Sequence, residues 1–332
     1  MSKKILLGAG AVFIGLSSLT LNTVEPTPRA LAESVTEQQI AHHTPGHGVP
    51  SVLAQATTRP LTIVFPSRAG STDLQRKADA VAQFLSRELR MPVQAVVGDD
   101  TAAVEALRAN RADVAFLSSR PALKAEQLAN SRLYLAEVRP NYSGRFTYRS
   151  VMVVRKDSPL RPKASAKQTL QQLQGKTIAF TSPTSGSGFI FPVGSLVQQG
   201  LVPNRDRLNN FFGQVTYGGD YSKALQAVLR GQADVAAVSE YALYSPYVTP
   251  QEAQQLRVLY GIAGVPAHGV AIDDDVPTST RRRIVNALLK LNQPQNNQLL
   301  QNLYNSNKLV SVYHNRHLRP MREALRRAGI DP

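Results

Sequence analysis

The sequence predicts an α/β protein of two similar lobes with a binding cleft between them, and three observations carry that reading. The first is an internal duplication: Ala103–Ser118, AVEALRANRADVAFLS, and Ala224–Ser239, ALQAVLRGQADVAAVS, share a central Ala-Asp-Val-Ala when offset by 121 residues. The second is that each copy has its own short apolar run upstream, Leu61–Phe65 and Lys176–Phe180, so each half reads as a β-α-β unit. The third is the segment TSPTSGSG, Thr181–Gly188, placed where the second upstream strand ends and an apolar helix-like stretch, Phe189–Gln199, begins.

Each repeat copy is read as a helix, a turn and a buried strand. Apolar residues recur at spacings of three and four, Asn110-Arg111 or Gly231-Gln232 marks the turn, and the strand is short and apolar. Such units recur in many α/β proteins, but two in one chain point to a cleft between lobes. Ligands in open α/β sheets bind at the carboxyl ends of strands, here Ser118-Ser119-Arg120 and Ser239-Glu240-Tyr241. TSPTSGSG falls at that same end. Gly186 and Gly188 permit close backbone approach, Ser185 and Ser187 offer hydroxyls, and the first N–H groups of the helix lack internal partners, a suitable cradle for an oxyanion. The same pattern also serves as a helix cap with no ligand, and Pro192 is expected to spoil an ideal helix soon after its start.

Lys3-Lys4, an apolar run from Ile5 to about Leu21 and Ala30-Leu31-Ala32 have the form of a cleavable export signal, with the mature chain starting at Glu33. An uncleaved anchor is the alternative. Residues 33–58 mix Thr, Pro, Gly, Gln and His and read as a flexible linker; His42, His43 and His47 have no acidic or cysteine partners nearby, so no metal is expected there. Ser67-Arg68-Ala69-Gly70-Ser71-Thr72 is a second small-residue loop, read as the cap of a helix carrying Leu74, Ala78, Val81 and Leu85. Asp273-Asp274-Asp275 reads as a solvated turn and cap. The basic run Arg316–Arg327 contains Leu318, Met321 and Leu325 at helical spacing, continued by Ala328, and is read as an amphipathic helix with one packed and one solvated face.

The composition excludes several chemistries. The 332 residues contain no cysteine, so thiolate nucleophiles, disulfides and cysteine-ligated metals are ruled out. No nucleophile–histidine–acid set is evident among the six histidines. No complete phosphate-binding NTPase loop or GxGxxG fingerprint follows a strand. The protein is therefore expected not to be an enzyme and to need no cofactor. The net charge of +15 favours anionic solutes or a polyanionic envelope. Nucleic acid is not expected, because no recognised binding module accompanies the basic run.

The cradle followed by FIFP, the segment FGQVTYGGDYSKALQAVLRGQADVAAVSEYAL from Phe212 to Leu243, the earlier QFLSRELRMPVQAVVGDDTAAVEALRANRADVAFL, and RPMREALRRAGI near the end together resemble the periplasmic phosphonate-binding proteins, the solute-binding components of phosphate, phosphite and phosphonate ABC importers. The resemblance runs in order over roughly residues 60 to 330. It implies a type II periplasmic-binding fold, a small oxyanion ligand, a permease in the inner membrane, a periplasmic location and a monomer. It further implies a first lobe of residues 59–148 completed by 269–332, a second lobe of 149–268, and crossings near Tyr148–Val154 and Gly261–Ile272 that form a hinge. The implied ligand residues are Thr184, Ser185, Gly186, Ser187 and Gly188 in the cradle, with Ser118, Arg120, Asp100, Tyr221 and Ser239 around it. Asp100 and Ala122 stand where the family places tyrosines, Tyr221 where it places a histidine and Ser239 where it places an aspartate, so the cradle is kept while the groups that read the rest of the ligand differ. A ligand sensor feeding a membrane kinase, or an envelope scaffold with a decayed pocket, are the alternative readings.

Overall fold

The structure, a computed structural model, describes residues 59–67 and 73–332. The expected export signal, the His-containing linker and most of the Ser67–Thr72 loop lie outside the described residues. The first half of the chain runs β1 (Leu61–Pro66), α1 (Leu74–Leu89), β2 (Val93–Gly98), α2 (Asp100–Arg108), β3 (Val114–Leu117), α3 (Ser119–Ala129) and β4 (Arg132–Val138). The second half begins with β5 (Thr147–Arg155), α4 (Ala166–Gln171), β6 (Thr177–Phe180), α5 (Phe191–Gln198), β7 (Gln214–Tyr217), α6 (Tyr221–Leu229), β8 (Val235–Ser239), α7 (Pro250–Gln254) and β9 (Leu256–Pro266). The chain closes with β10 (Gly269–Ile272), α8 (Thr278–Leu289), α9 (Asn297–Tyr304), β11 (Lys308–Ser311) and α10 (His314–Ala328).

These strands form two sheets. One has the order β2-β1-β3-β10-β4-β11 and the other β7-β6-β8-β5-β9. In both, the first strand of the repeat pairs in parallel with the next two, β1 with β2 and β3, β6 with β7 and β8. Each half is thus β-α-β-α-β, one strand and one helix richer than the expected unit. The added strands lie at sheet edges and are only half-buried, so their sequences lack a continuous apolar run.

The duplication extends to single hydrogen bonds. The aspartate of each Ala-Asp-Val-Ala accepts from the backbone at the start of its neighbouring strand, Asp113 from Thr62 N at 2.7 Å and Asp234 from Thr177 N at 2.8 Å. The turn before it takes a left-handed residue in both copies, Asn110 (φ 51°) and Gly231 (φ 72°), as residue types that tolerate that region allow.

The cradle is followed by a π-turn, Gly186–Ile190, in which Ile190 N donates to Ser185 O and Phe191 N to Gly186 O, before α5 takes up the ordinary α register. Pro192, the second residue of α5, therefore does not spoil the helix. The nearby carbonyls that an N–H at position 192 would have served have other donors: Ser187 O accepts from Ser150 Oγ at 2.6 Å and Gly188 O from Thr181 N at 3.2 Å. The lost helical bonds become ties between the turn and strands β5 and β6.

The outgoing crossing between the sheets occupies residues 139–146, upstream of the expected Tyr148–Val154, which lies inside β5. The return crossing is Ala267-His268, between β9 and β10. The two crossings touch, Ala267 N donating to Phe146 O at 3.2 Å, and the return crossing is tied to the end of β4 by Glu137 N donating to His268 O at 2.8 Å. Helix α10 leans across both halves. Its buried residues include the expected Leu318, Met321, Leu325 and Ala328. It meets α5 so closely that a Cβ on Gly194 would stand 3.2 Å from Ala324 O, while Arg322 and His314 reach Glu126 of α3. Asp273 departs from the expected solvated turn: it is buried, accepts from Ser131 Oγ at 2.8 Å, and burial raises its carboxyl pKa. No helix among the described residues is long and apolar enough to cross a membrane.

Candidate functional site

The loops after β2, β3, β6 and β7 converge on one cavity of about 260 Å³. Asp100, Ser118, Ser119 and Arg120 line it from the first half, Thr181, Ser182, Thr184, Ser185, Gly186, Gly219, Asp220 and Tyr221 from the second. Arg139, Tyr148, Tyr241, Tyr247 and His268 complete the wall where the crossings pass. Helices α2, α3 and α6 all begin at this wall, and so does the π-turn. The starts of three helices and of the π-turn, with the positive ends of the helix dipoles, are thereby gathered around one space, an arrangement suited to an anion.

The two sides of the cavity are repeat-related. Asp99 and Asp220, equivalent at the 121-residue offset, cap α2 and α6 by accepting from Ala102 N at 2.7 Å and Lys223 N at 2.8 Å. The residues that follow them, Asp100 and Tyr221, both line the cavity, as do the equivalent Arg120 and Tyr241. The duplication has supplied matching positions from both halves and filled them with different chemistry.

Seven of the ten sequence-selected residues stand on the cavity wall: Asp100, Ser118, Arg120, Thr184, Ser185, Gly186 and Tyr221. Ser185 Oγ accepts from Gly188 N at 3.0 Å, so it caps the turn while keeping its own hydroxyl proton to donate. Ser118 Oγ donates to Asp100 Oδ2 at 2.8 Å. Arg120 Nη2 donates to Asp331 O at 3.1 Å, whereas its buried Nε has no partner among the described residues. Burial, followed by the nearby Arg205, lowers the Arg120 pKa. An anion beside Arg120 would offset the burial and the repulsion from Arg205, which Asp331 only partly balances.

Ser187, Gly188 and Ser239 are not on the wall. Ser187 is fully buried with its Oγ 2.8 Å from Tyr221 Oη, so it positions a wall residue. The smallness of Gly188 serves packing and not ligand approach, because a Cβ there would lie 2.2 Å from Thr181 Oγ1 and 2.5 Å from Thr181 Cβ. Ser239 is fully buried in β8, opposite Ser150 of β5.

The groups that sequence reasoning missed are Arg139, Tyr148, Tyr247 and His268, which complete the back wall beside the selected Tyr221 and the strand-end Tyr241. Tyr148, Tyr221, Tyr241 and Tyr247 form an aromatic cluster whose adjacent rings, Tyr148–Tyr241, Tyr221–Tyr241 and Tyr241–Tyr247, lie 5.2 to 5.8 Å apart. Burial first, and then neighbouring phenols, push the pKa values of Tyr148, Tyr221 and Tyr241 upward, so these groups remain neutral hydrogen-bond donors. Arg139 stands against this cluster, 5.3 Å above the Tyr241 ring, and pairs with the fully buried Glu137 at 3.0 Å. Burial opposes its charge, but Tyr142, Glu137 and Tyr241 outweigh that and raise its pKa well above the usual value. Tyr241 is legible twice in the sequence, at the strand end Ser239-Glu240-Tyr241 and as the residue the 121-residue offset aligns with Arg120. No cluster of three or more potential metal-ligating side chains occurs among the described residues.

Comparison with known proteins gives a consistent answer. Residues 63–315 match the family described as "ABC transporter, phosphonate, periplasmic substrate-binding protein". A phosphonates-binding periplasmic protein of Escherichia coli is 22% identical over 253 residues, 75% of this chain and 72% of that protein. The phosphate-import protein PhnD of Mycolicibacterium smegmatis is 25% identical over 187 residues, 55% of this chain and 56% of that protein. Among solved structures, PhnD1 of Prochlorococcus marinus in complex with methylphosphonate superposes with a TM-score of 0.64 at 19% identity, covering 81% of this chain and 98% of that one. The fold is thus the two-lobed type II periplasmic-binding fold.

Proposed function

The chain belongs to the family of periplasmic substrate-binding proteins of phosphonate ABC transporters, and we propose that its cleft captures a small oxyanion, phosphate, phosphite or a phosphonate, and presents it to a permease in the inner membrane. The convergence of three helix starts and the π-turn on a cavity that Arg120 also lines carries this reading. Ser185, Gly186 and Thr184 hold the oxyanion from one side, Ser118 and Arg120 from the other, and Tyr221 donates from the repeat position equivalent to Asp100. Asp100 and Asp220 place carboxylates on the wall that can accept from a protonated phosphate or phosphonate oxygen, a donor that fully deprotonated sulfate lacks.

Lobes of residues 59–148 with 269–332, and of 149–268, close on the ligand by bending at residues 139–146 and 267–268, where the backbone passes between sheets. The oxyanion bridges groups on both sides, so it binds the closed arrangement preferentially and the permease reads that arrangement. The protein acts by binding, as a monomer and without covalent chemistry. Residues 1–32 are removed as the chain is exported; mass spectrometry of the exported protein should show Glu33 first, and retention of Met1 in a membrane fraction would indicate an anchor.

A thermal-shift screen against phosphate, phosphite, methylphosphonate, 2-aminoethylphosphonate and sulfate tests the function. A matched ligand at one hundred times its dissociation constant should stabilise the folded protein by about 2.7 kcal/mol and raise Tm, while sulfate leaves it unchanged. Flat curves for every phosphorus oxyanion would instead favour a decayed pocket.

A further inference from the structure

A second cavity, of about 430 Å³, opens beside the oxyanion cavity and shares Arg139, Tyr241 and Tyr247 with it. Its remaining wall includes the polar side chains Lys77 of α1, Asn141 of the outgoing crossing, and Gln301 and Asn302 of α9, beside the apolar Pro140, Pro246 and Leu303. We propose that this cavity is a subsite for the hydroxylated organic tail of a phosphate monoester or phosphonate, a refinement that rests on the oxyanion reading of the first cavity.

The argument is one of matched valence. A carboxamide offers both donor and acceptor, and so does a hydroxyl, so a hydroxylated tail can exchange the water on these solvent-facing amides for direct hydrogen bonds, whereas an ammonium tail would meet Lys77 and Arg139. The amides are held in place by their neighbours. Gln301 Nε2 donates to Asn297 Oδ1 at 2.8 Å, and Asn302 Oδ1 accepts from Gln298 Nε2 at 2.7 Å. Gln301 thus keeps its carbonyl oxygen, and Asn302 its amide protons, for a ligand. The shared wall is also pre-organised, because Arg139 is fixed by two contacts to Glu137, 3.0 and 3.2 Å, and by the Tyr241 ring. The second cavity is larger than the first and lies between α1 and α9 of one half and the segment after β8 of the other. A ligand spanning both cavities would add contacts to the same closure.

Calorimetric titration of the full chain with inorganic phosphate, glycerol 3-phosphate and glucose 6-phosphate provides the test, repeated for Asn141→Leu and Asn302→Leu. At least one ester should bind ten or more times tighter than phosphate. Each variant should lose most of that advantage while keeping phosphate affinity within about twofold, which also shows that it is folded. Esters binding no tighter than phosphate, or variants that weaken phosphate and ester alike, overturn the subsite and leave the oxyanion site standing. Failure of all three compounds to bind overturns both.

Discussion

Arg139→Ala should lower the stability of the protein by about 3–5 kcal/mol, the range for removing one partner of a buried ion pair. Glu137 is fully buried, and Arg139 supplies its charge partner through Nη2 at 3.0 Å and Nε at 3.2 Å. Ser306 Oγ also donates to the same carboxylate at 2.9 Å, but a hydroxyl brings no charge to replace the guanidinium. The loss also removes the cation that stands against Tyr241, so the wall shared by the two cavities should loosen. Urea unfolding measures the effect. Adding Glu137→Gln to the alanine variant should restore much of the stability, since it discharges the stranded carboxylate; a loss below about 1 kcal/mol in the single variant would show that the pair is not buried in solution.

Gly188→Val should destabilise the protein and abolish oxyanion binding together. The added Cβ alone would meet Thr181 Oγ1 at 2.2 Å and Thr181 Cβ at 2.5 Å, atoms held close to the backbone of the chain leaving β6. The Thr181 hydroxyl cannot swing away freely, because it donates to Ala237 O at 3.0 Å. Overpacking of this kind costs about 1–3 kcal/mol. The displaced turn carries Ser185, which caps Gly188 N, and Gly186 on the cavity wall. Chemical unfolding and phosphate titration of the same variant check both effects. Wild-type stability with wild-type affinity would contradict the packing described for this turn.

The repeats made the central parallel strands and the helices before them legible, because buried strands such as Val114–Leu117 and Val235–Ser239 are apolar at every position but the final Ser239. The edge strands β2 and β7 were not, since partial exposure mixes polar residues into them. Pro192 misled for a different reason: the π-turn before it moved the missing donor to a place where Ser150 and Thr181 serve the carbonyls instead, a long-range arrangement with no local signature. The cradle residues were visible because glycine and hydroxyl residues at a strand end are unusual in a contiguous run. Arg139, Tyr148 and Tyr247 were not, as they reach the cavity from the crossing, from β5 and from the loop after β8, and only the tertiary fold brings them together. Ser187 and Gly188 belong to the motif yet face inward, which alternation along a turn does not reveal.

The most direct test of the account is a calorimetric titration of inorganic phosphate and methylphosphonate into the full chain and into Arg120→Ala. Arg120 lines the cavity, carries an unpartnered Nε and makes its one described side-chain hydrogen bond to Asp331 O, so its removal should disturb the ligand far more than the fold. The predicted result is one site per chain in the wild type. In the variant, affinity should fall by roughly tenfold to a hundredfold, the cost of a charge-assisted hydrogen bond of about 1.5–3 kcal/mol, with unfolding free energy nearly unchanged. Absence of binding in the wild type, or equal affinity in the two proteins, would contradict the assignment of this cleft as an oxyanion site built around Arg120.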